Sequence, residues 1–415
     1  MNRRRVVVTG LGAVTPAGPD VPSTWAALKA GRSAVERAPR LVAAGCRSQI
    51  AAEVRGFDPA TLPSRQDTAR LGRSAQFALA AALEAWGDAA LDPAALDLTR
   101  SGVVLGTGFG DAAETFRQTQ NYLESGVRGI HPAYAPRVMS NAPAAHIALE
   151  FGLRGPSLTT GSACAAAGHA IGLAFRLIQY GDADLVLAGG TEEISCILTA
   201  AAFDRLHALS LRNDAPQRAS RPFDRGRDGF VIGEGAGVLV LEEREHALRR
   251  GAPVYAEIAG LGMASDVHHL TAPDPRGEGA AQAMRMALRD AGRDAADVDY
   301  VNAHGTSTPL NDAMETRALH DVLGTRARSV AVSATKSMIG HLIGASAALG
   351  LIATILAIRE GVVHPTINCE EADPACDLDY VPNTSRRLAV ELALVNSFAF
   401  GGHCVALAVQ ADPVS

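Results

Sequence analysis

Short β-branched apolar runs alternate with Ala/Leu-rich stretches of helical period along this whole chain, and that rhythm limits the folds open to it. RVVVTG near the start is followed by SAQFALAAALEAW from Ser74, SGVVLGTG from Ser101, a long helical stretch after Cys164, and DLVLAGG from Asp184. Past residue 250 the order resumes with PVYAEIAGLG, AAQAMRMALRDAG, VDYVNAHGT and SVAVSATK. Strands that alternate with helices give an α/β fold around buried, partly parallel sheets. Residues 74–108 and 280–306 pass through the same succession of helix, turn, strand and Gly-Thr loop. TTGSACAAAGHA near Cys164 and NSFAFGGHCVAL near Phe400 read as a second matching pair, both as loop-to-helix transitions. Two similar halves joined near 245–255 account for both echoes.

Composition removes several functional classes. A chain of 415 residues with 47% hydrophobic and 20% charged residues buries a large core as an ordinary soluble protein. A net charge of −6 argues against broad nucleic-acid binding. The six cysteines show no CxxC pair and are too sparse for a disulfide scaffold, so reduced thiols in a cytoplasm are expected. The opening MNRRRVVVTGLGAVTPAG has the basic head of a signal peptide, but Gly10, Gly12 and Pro16 break its apolar run into a strand and a turn. Ile339 to Ile358 is twenty residues without a formal charge, long enough to span a membrane. It carries three glycines and His341 and has no companion segment, so a buried core helix is expected and no membrane span. GTGFGD, GLGAVTPAG and GEGAG do not complete a dinucleotide fingerprint, and no GxxxxGK[ST], HExxH or GxSxG occurs.

Four segments carry chemistry. Cys164 sits among small residues in LTTGSACAAAGHA, ahead of a helical run, where helix N–H groups and the macrodipole favour a thiolate; a buried structural cysteine is the alternative. His304 lies in VNAHGTSTPLND, straight after a strand, where open α/β sheets place ligands. Lys336 and His341 share SATKSMIGHLIGASAA, and Lys29 is the only other lysine in the chain. In NSFAFGGHC, Gly401 and Gly402 let backbone N–H groups approach a substrate closely.

With RRVVVTGLG at the start and RNDAPQRASRPFDRGRDGFVIGEGAG in the middle, these segments resemble, in order and over the whole length, a β-ketoacyl-acyl carrier protein synthase of the elongating type (synthase I/II) in the thiolase superfamily. The catalytic ketosynthase of a type II polyketide synthase is the near variant. The resemblance implies a thiolase-like five-layered αβαβα fold from two halves, 1–250 with the cysteine and 251–415 with both histidines. It implies decarboxylative Claisen condensation: Cys164 accepts an acyl group, the N–H groups of Cys164 and Phe400 hold the oxyanion, and neutral His304 and His341 stabilise the enolate. Lys336 would tune the histidine pair with Asp312 and Glu315 as partners. Thr306, Thr308 and Thr271 would bind the pantetheine or malonyl group, Phe400 would gate the pocket, and Phe109 would sit at the acyl tunnel. No metal or redox cofactor is implied, because the leaving carbon dioxide drives carbanion formation, and the substrates are carried on the phosphopantetheine of an acyl carrier protein. The implied partners are that carrier and either a second copy or a chain-length factor, with Arg65, Arg70 and Arg73 as a basic docking patch helped by Arg205; the family's basic residue falls two places later, where this chain has His207.

Three positions depart from the family pattern. Gly350 stands where a glutamate is usual, which places a structural cation in doubt. Ala399 replaces the middle glycine of NSFGFGG and is expected to restrict loop motion. Phe109 is larger than the aliphatic residue usual there, so short or medium acyl groups are expected. A degradative thiolase would need a second catalytic cysteine, for which Cys404 is the one candidate. A synthase III type would pair its cysteine with His and Asn, which His341 does not fit. A non-catalytic chain-length factor would lack the cysteine.

Overall fold

The computed structural model describes residues 3–412. The first half contributes β1 (Val6–Val14), β2 (Ser101–Gly106), β3 (Ser157–Thr160), β4 (Leu185–Glu192) and β5 (Gly235–Glu243). The second contributes β6 (Ala256–Ser265), β7 (Tyr300–Asn302), β8 (Ala331–Ser333), β9 (Leu392–Ala399) and β10 (His403–Gln410). All ten lie in one continuous sheet, ordered β8-β7-β9-β10-β6-β1-β5-β4-β2-β3. Outward from the β6/β1 join, both halves place their first, fifth, fourth, second and third strands in that order. The pairing directions also repeat: first with fifth and fifth with fourth antiparallel, fourth with second and second with third parallel. A short antiparallel ladder, Val6–Val8 against Ala256–Ile258, stitches the halves together.

Six helices complete the layers: α1 (Arg73–Asp88), α2 (Ala142–Phe151), α3 (Ala166–Tyr180), α4 (Glu278–Ala291), α5 (Pro309–Leu323) and α6 (Ser346–Glu360). Helices α1 and α2 cover the outer face of the first half-sheet, α4 and α5 that of the second, and α3 and α6 pack on each other between them. The result is the αβαβα sandwich, with one apolar cluster under each outer helix layer and one around the middle layer. Phe77, Leu105, Ile147 and Val238 fill one outer interface, and Met284, Val301, Leu319 and Leu394 the other. Leu11, Phe175, Leu261 and Ile352 belong to the centre.

Gly-Leu-Gly in each opening strand explains how closely the outer helices seat. A Cβ on Gly10 or Gly12 would lie 2.2 or 1.9 Å from the carbonyls of Ala85 and Ala81 in α1. On Gly260 or Gly262 it would lie 2.2 or 1.8 Å from those of Ala287 and Ala283 in α4. Only glycine lets backbone approach backbone in this way. The leucine between the glycines points the other way, into the central cluster.

One expected echo is wrong. NSFAFGGHC makes no transition into a helix; it is the tight β9–β10 hairpin, with Ala399 opposite His403. Glycines between apolar runs mark a hairpin as readily as a helix start. The true counterpart of the Cys164 segment is the His341 segment. A 3₁₀ turn, Ala163–Ala165, leads into the 15-residue α3, and a 3₁₀ turn, Ile343–Ala345, leads into the 15-residue α6. Ala163 (φ 47°) and Ile343 (φ 38°) open the two turns in left-handed backbone, where non-glycine residues are strained. The long uncharged run after Ile339 is core: Ser346–Ala357 of α6 are all buried.

Candidate active site

Strand β3 delivers the chain to the turn that holds Cys164, whose carbonyl accepts a hydrogen bond from Ser397 Oγ at 2.7 Å. Ser397 lies on β9, so the second half fixes the turn of the first. The sulfur lies 3.1 Å from His341 Nε2, and the backbone N–H groups of Cys164 and Phe400 bear on it. Burial pushes the thiol up to about 12; Lys336 and the two N–H groups oppose that shift and Glu192 adds to it. Its place ahead of a helix therefore does not leave Cys164 a resting thiolate, because desolvation outweighs the Lys336 charge and the N–H groups.

His341 follows the helical turn Lys336–Ile339. Its N–H donates to the Val231 carbonyl at 2.7 Å, and its own carbonyl accepts from Gly233 N–H at 2.9 Å, so the main chain is held on both sides. Nδ1 accepts from Ile343 N–H at 3.2 Å and lies 2.9 Å from Ser346 Oγ. Phe230 and His304 meet the ring edge-on, at 5.3 and 5.4 Å between centroids. His304 leaves the end of β7 in a loop threaded onto two carboxylates. Glu315 accepts from the N–H groups of His304 and Gly305, each at 2.8 Å, and Asp312 accepts from Thr306 N–H at 3.0 Å. Burial, then the Lys336 charge, holds both histidines well below their usual range, so both rings are neutral at pH 7.

Lys336 is buried, which lowers its ammonium to about 8 against the opposing pull of Glu315, Cys164 and Asp312. Among the described residues Lys336 makes no ion pair within 4.0 Å. Asp312 and Glu315 reach it only through their field, because their oxygens are taken by backbone N–H groups and, for Asp312, by Arg227 Nε at 3.7 Å. They are loop anchors first.

Cys164, His304 and His341 open onto one cavity of about 430 Å³, which Thr271, Thr306, Thr308 and Phe400 also line. Thr306 and Thr308 hydrogen-bond each other through Oγ1 at 2.9 Å. Cys404 shares the cavity wall, but its sulfur is pushed up to about 12 by burial and has no histidine partner among the described residues. Phe109 is not on that wall: it is 46% exposed and sits edge-on to Phe203, which is. Ala399 ends β9 in ordinary extended backbone, so this conformation of the hairpin does not demand glycine there. At Gly350 a Cβ would stand 2.7 Å from Asn302 Oδ1, so the neighbouring asparagine fills the space a longer side chain would need.

Sequence reasoning missed Glu192. Wholly buried at the end of β4, it accepts from the N–H groups of Gly108, Phe109 and Gly344 at 2.7, 3.1 and 2.9 Å. The charged residues near the expected docking patch divide. Arg73 is spent on Glu234 at 2.8 Å and on the face of Phe77, whereas Arg70 pairs among the described residues only with Asp67 and stays 79% exposed. Arg65 reaches the Leu149 carbonyl, and His207 contacts Arg47 at the cavity mouth.

Residues 3–247 match the family described as β-ketoacyl synthase, N-terminal domain, and residues 255–370 its C-terminal domain. A 3-oxoacyl-[acyl-carrier-protein] synthase 2 of Coxiella burnetii is 45% identical over 402 residues, 97% of each chain. A type II polyketide ketosynthase solved with its acyl-carrier protein and a hexaketide superposes with a TM-score of 0.93 at 36% identity, covering 99% of this chain and 100% of that one. The ishigamide ketosynthase/chain length factor gives 0.91 at 37%, again over 99% and 100%.

Proposed function

The chain belongs to the β-ketoacyl synthase family, and from that premise we propose how its own residues carry out the condensation of malonyl-acyl carrier protein with a cysteine-bound acyl group. The observation that carries the proposal is the buried trio in one cavity: Cys164 Sγ 3.1 Å from His341 Nε2, with the His304 ring 5.4 Å from that of His341. The division of labour follows the halves 1–250, which bring the nucleophile, and 251–415, which bring the histidine pair.

In the first step Cys164 attacks the acyl thioester carbonyl. The oxyanion is held by the N–H groups of Cys164 and Phe400, preorganised donors in a site shielded from water. The thiol proton passes to the departing pantetheine sulfur, so acyl-cysteine and free carrier thiol form with charge balanced. Because the resting thiol is protonated, the thiolate need exist only as the new bond forms.

In the second step a malonyl thioester binds with its carbonyl oxygen between the two imidazoles. Loss of carbon dioxide leaves its electron pair in an enolate, whose oxygen accepts from Nε2–H of both rings. Neutral rings donate without gaining a proton, and the Lys336 ammonium adds positive field. The enolate carbon attacks the acyl-cysteine, the tetrahedral intermediate collapses, and the cysteine sulfur leaves and regains a proton. Thr306, Thr308 and Thr271 line the route by which pantetheine reaches the trio. The substrates bring their own phosphopantetheine, and we propose that no other cofactor takes part.

The acyl carrier protein is the partner in both steps, with exposed Arg70, Arg65 and Arg205 as the basic surface for an acidic carrier. The six unpaired cysteines suit a cytoplasmic setting. The main reading is a self-sufficient 3-oxoacyl synthase; a catalytic subunit paired with a chain-length factor is the second, favoured by the close superposition on a type II polyketide ketosynthase and on a ketosynthase/chain length factor. Incubation of purified protein with acyl carrier proteins, followed by intact-mass spectrometry and product analysis, tests both. Acylation and 3-oxoacyl product from the chain alone support the first reading, and activity only after a chain-length factor is added supports the second. Failure to acylate in either setting defeats the assignment of Cys164.

A further inference from the structure

We propose that Ser346 is a positioning residue for the condensation, its hydroxyl fixing His341 in the one ring form that aims a proton at the reacting centre. The inference rests on the reading of His341 as an enolate donor. Ile343 N–H donates to His341 Nδ1 at 3.2 Å, so that nitrogen presents a lone pair and carries no proton. Ser346 Oγ lies 2.9 Å from the same nitrogen, and only its O–H can face a lone pair favourably. Two donors therefore converge on Nδ1, and the single ring proton is left on Nε2, 3.1 Å from Cys164 Sγ.

Helix architecture alone does not require the hydroxyl. The matching first residue of the equally long α3 is Ala166, fully buried, and that helix starts without one. Ser346 is itself buried, and His341 Nδ1 is the only hydrogen-bond partner of its hydroxyl among the described residues. The charged and titratable groups around the ring are Lys336, His304 and Cys164, with Glu315 and Asp312 acting on Lys336 and Glu192 on Cys164. None of these reaches Nδ1. A proton added at Nδ1 would break the Ile343 N–H contact and force the Ser346 hydroxyl to turn from donor to acceptor, so the pair of donors favours the neutral ring.

Ser346→Ala removes the donor while keeping the small volume of the site. The expected result is a kcat for condensation lower by about three- to tenfold at little change in KM for malonyl-acyl carrier protein, the effect of one buried hydrogen bond. The acid limb of kcat should move to higher pH, because a ring without that donor protonates more easily, and Ser346→Thr should restore both. Active sites are counted by acyl loading on Cys164, so that unfolded protein does not enter kcat. An unchanged kcat and acid limb in Ser346→Ala overturns the inference, and so does a lower Tm with both unchanged, which would mark a purely structural serine. His341→Ala is measured alongside: if it keeps full condensation, the enolate-donor reading itself fails, whatever Ser346→Ala shows.

Discussion

The turns that open α3 and α6 share one backbone shape and have opposite duties. Both start on a strained left-handed residue, Ala163 or Ile343, and lead into helices of equal length. The middle position is Cys164 in one and Gly344 in the other. Around Cys164 the second half supplies His341, Ser397 and Phe400, and the sulfur faces a cavity. Around Gly344 the first half supplies Glu192, which takes its N–H at 2.9 Å, and Gly108, whose nitrogen would stand 2.4 Å from any added Cβ. A strained turn before a buried helix is thus not catalytic in itself. What the opposite half sets against it decides whether it becomes the proposed reactive centre or a sealed joint.

The largest effect should come from emptying the reactive turn. Cys164→Ala is expected to abolish acyl-enzyme and to cut condensation on the order of 10⁴-fold, while malonyl decarboxylation persists through His304 and His341. Intact-mass spectrometry and carbon dioxide release read the two separately, and an adduct that survives and maps to Cys404 would show the wrong nucleophile was chosen. Filling the sealed turn should be costly in a different currency. Gly344→Ala drives a Cβ into the Gly108 backbone and should destabilise by about 2–4 kcal/mol in denaturant melts. Gly344→Cys in the Cys164→Ala background should gain no acyl adduct at position 344; if it does, turn shape suffices after all and the contrast collapses.

A smaller effect concerns the seal itself. Burial lifts the Glu192 carboxyl from 4.5 to about 7, against three N–H donors that pull it down. The folded chain therefore binds this proton more tightly than the unfolded one. Its contribution to stability is complete below pH 4.5 and is lost as pH rises through about 7. Glu192→Gln cannot ionise, so urea titrations between these limits should show a shallower decline than wild type; parallel curves would exclude Glu192 as a source of the slope. The smallest expected change is at Phe109, whose N–H the same carboxylate holds. Because Phe109 meets the cavity only through Phe203, which lines it, Phe109→Ala should lengthen the accepted acyl group only slightly, each further buried methylene being worth about 0.8 kcal/mol. Efficient loading of a palmitoyl group by the wild type would show that Phe109 sets no limit.

The halves were legible because their helices are periodic and their strands β-branched: SAQFALAAALEAW and AAQAMRMALRDAG became α1 and α4 as expected. The trio was legible because Cys164, His304 and His341 each sit in a small-residue loop beside a strand or a helix start. The pairing of turns was misread, since NSFAFGGHC and LIGASAA look alike when only glycine and apolar residues are weighed. A better clue was present in Gly10-Leu11-Gly12 and Gly260-Leu261-Gly262, which mark the same point in each half. Glu192 could not be found that way. Its bond to Gly344 crosses 152 residues of chain, and an acid at a strand end gives no sign of the amides that will surround it. Asp312 and Glu315 were implied as partners of Lys336 by the resemblance, and they act on it through their charge, because backbone amides hold those oxygens.

The ladder between β1 and β6 also sets a timetable for assembly. Val6 pairs with Glu243 on one side and with Ile258 on the other, so both neighbours of this strand lie more than half the chain away. During synthesis β1 must wait, apolar and unpaired, until the ribosome has delivered residues far beyond Cys164. Such non-local closure is slow and leaves strand edges open to misassembly. Expression at lower temperature or with holdase chaperones should therefore raise the soluble yield of this chain more than that of a single half-length α/β domain.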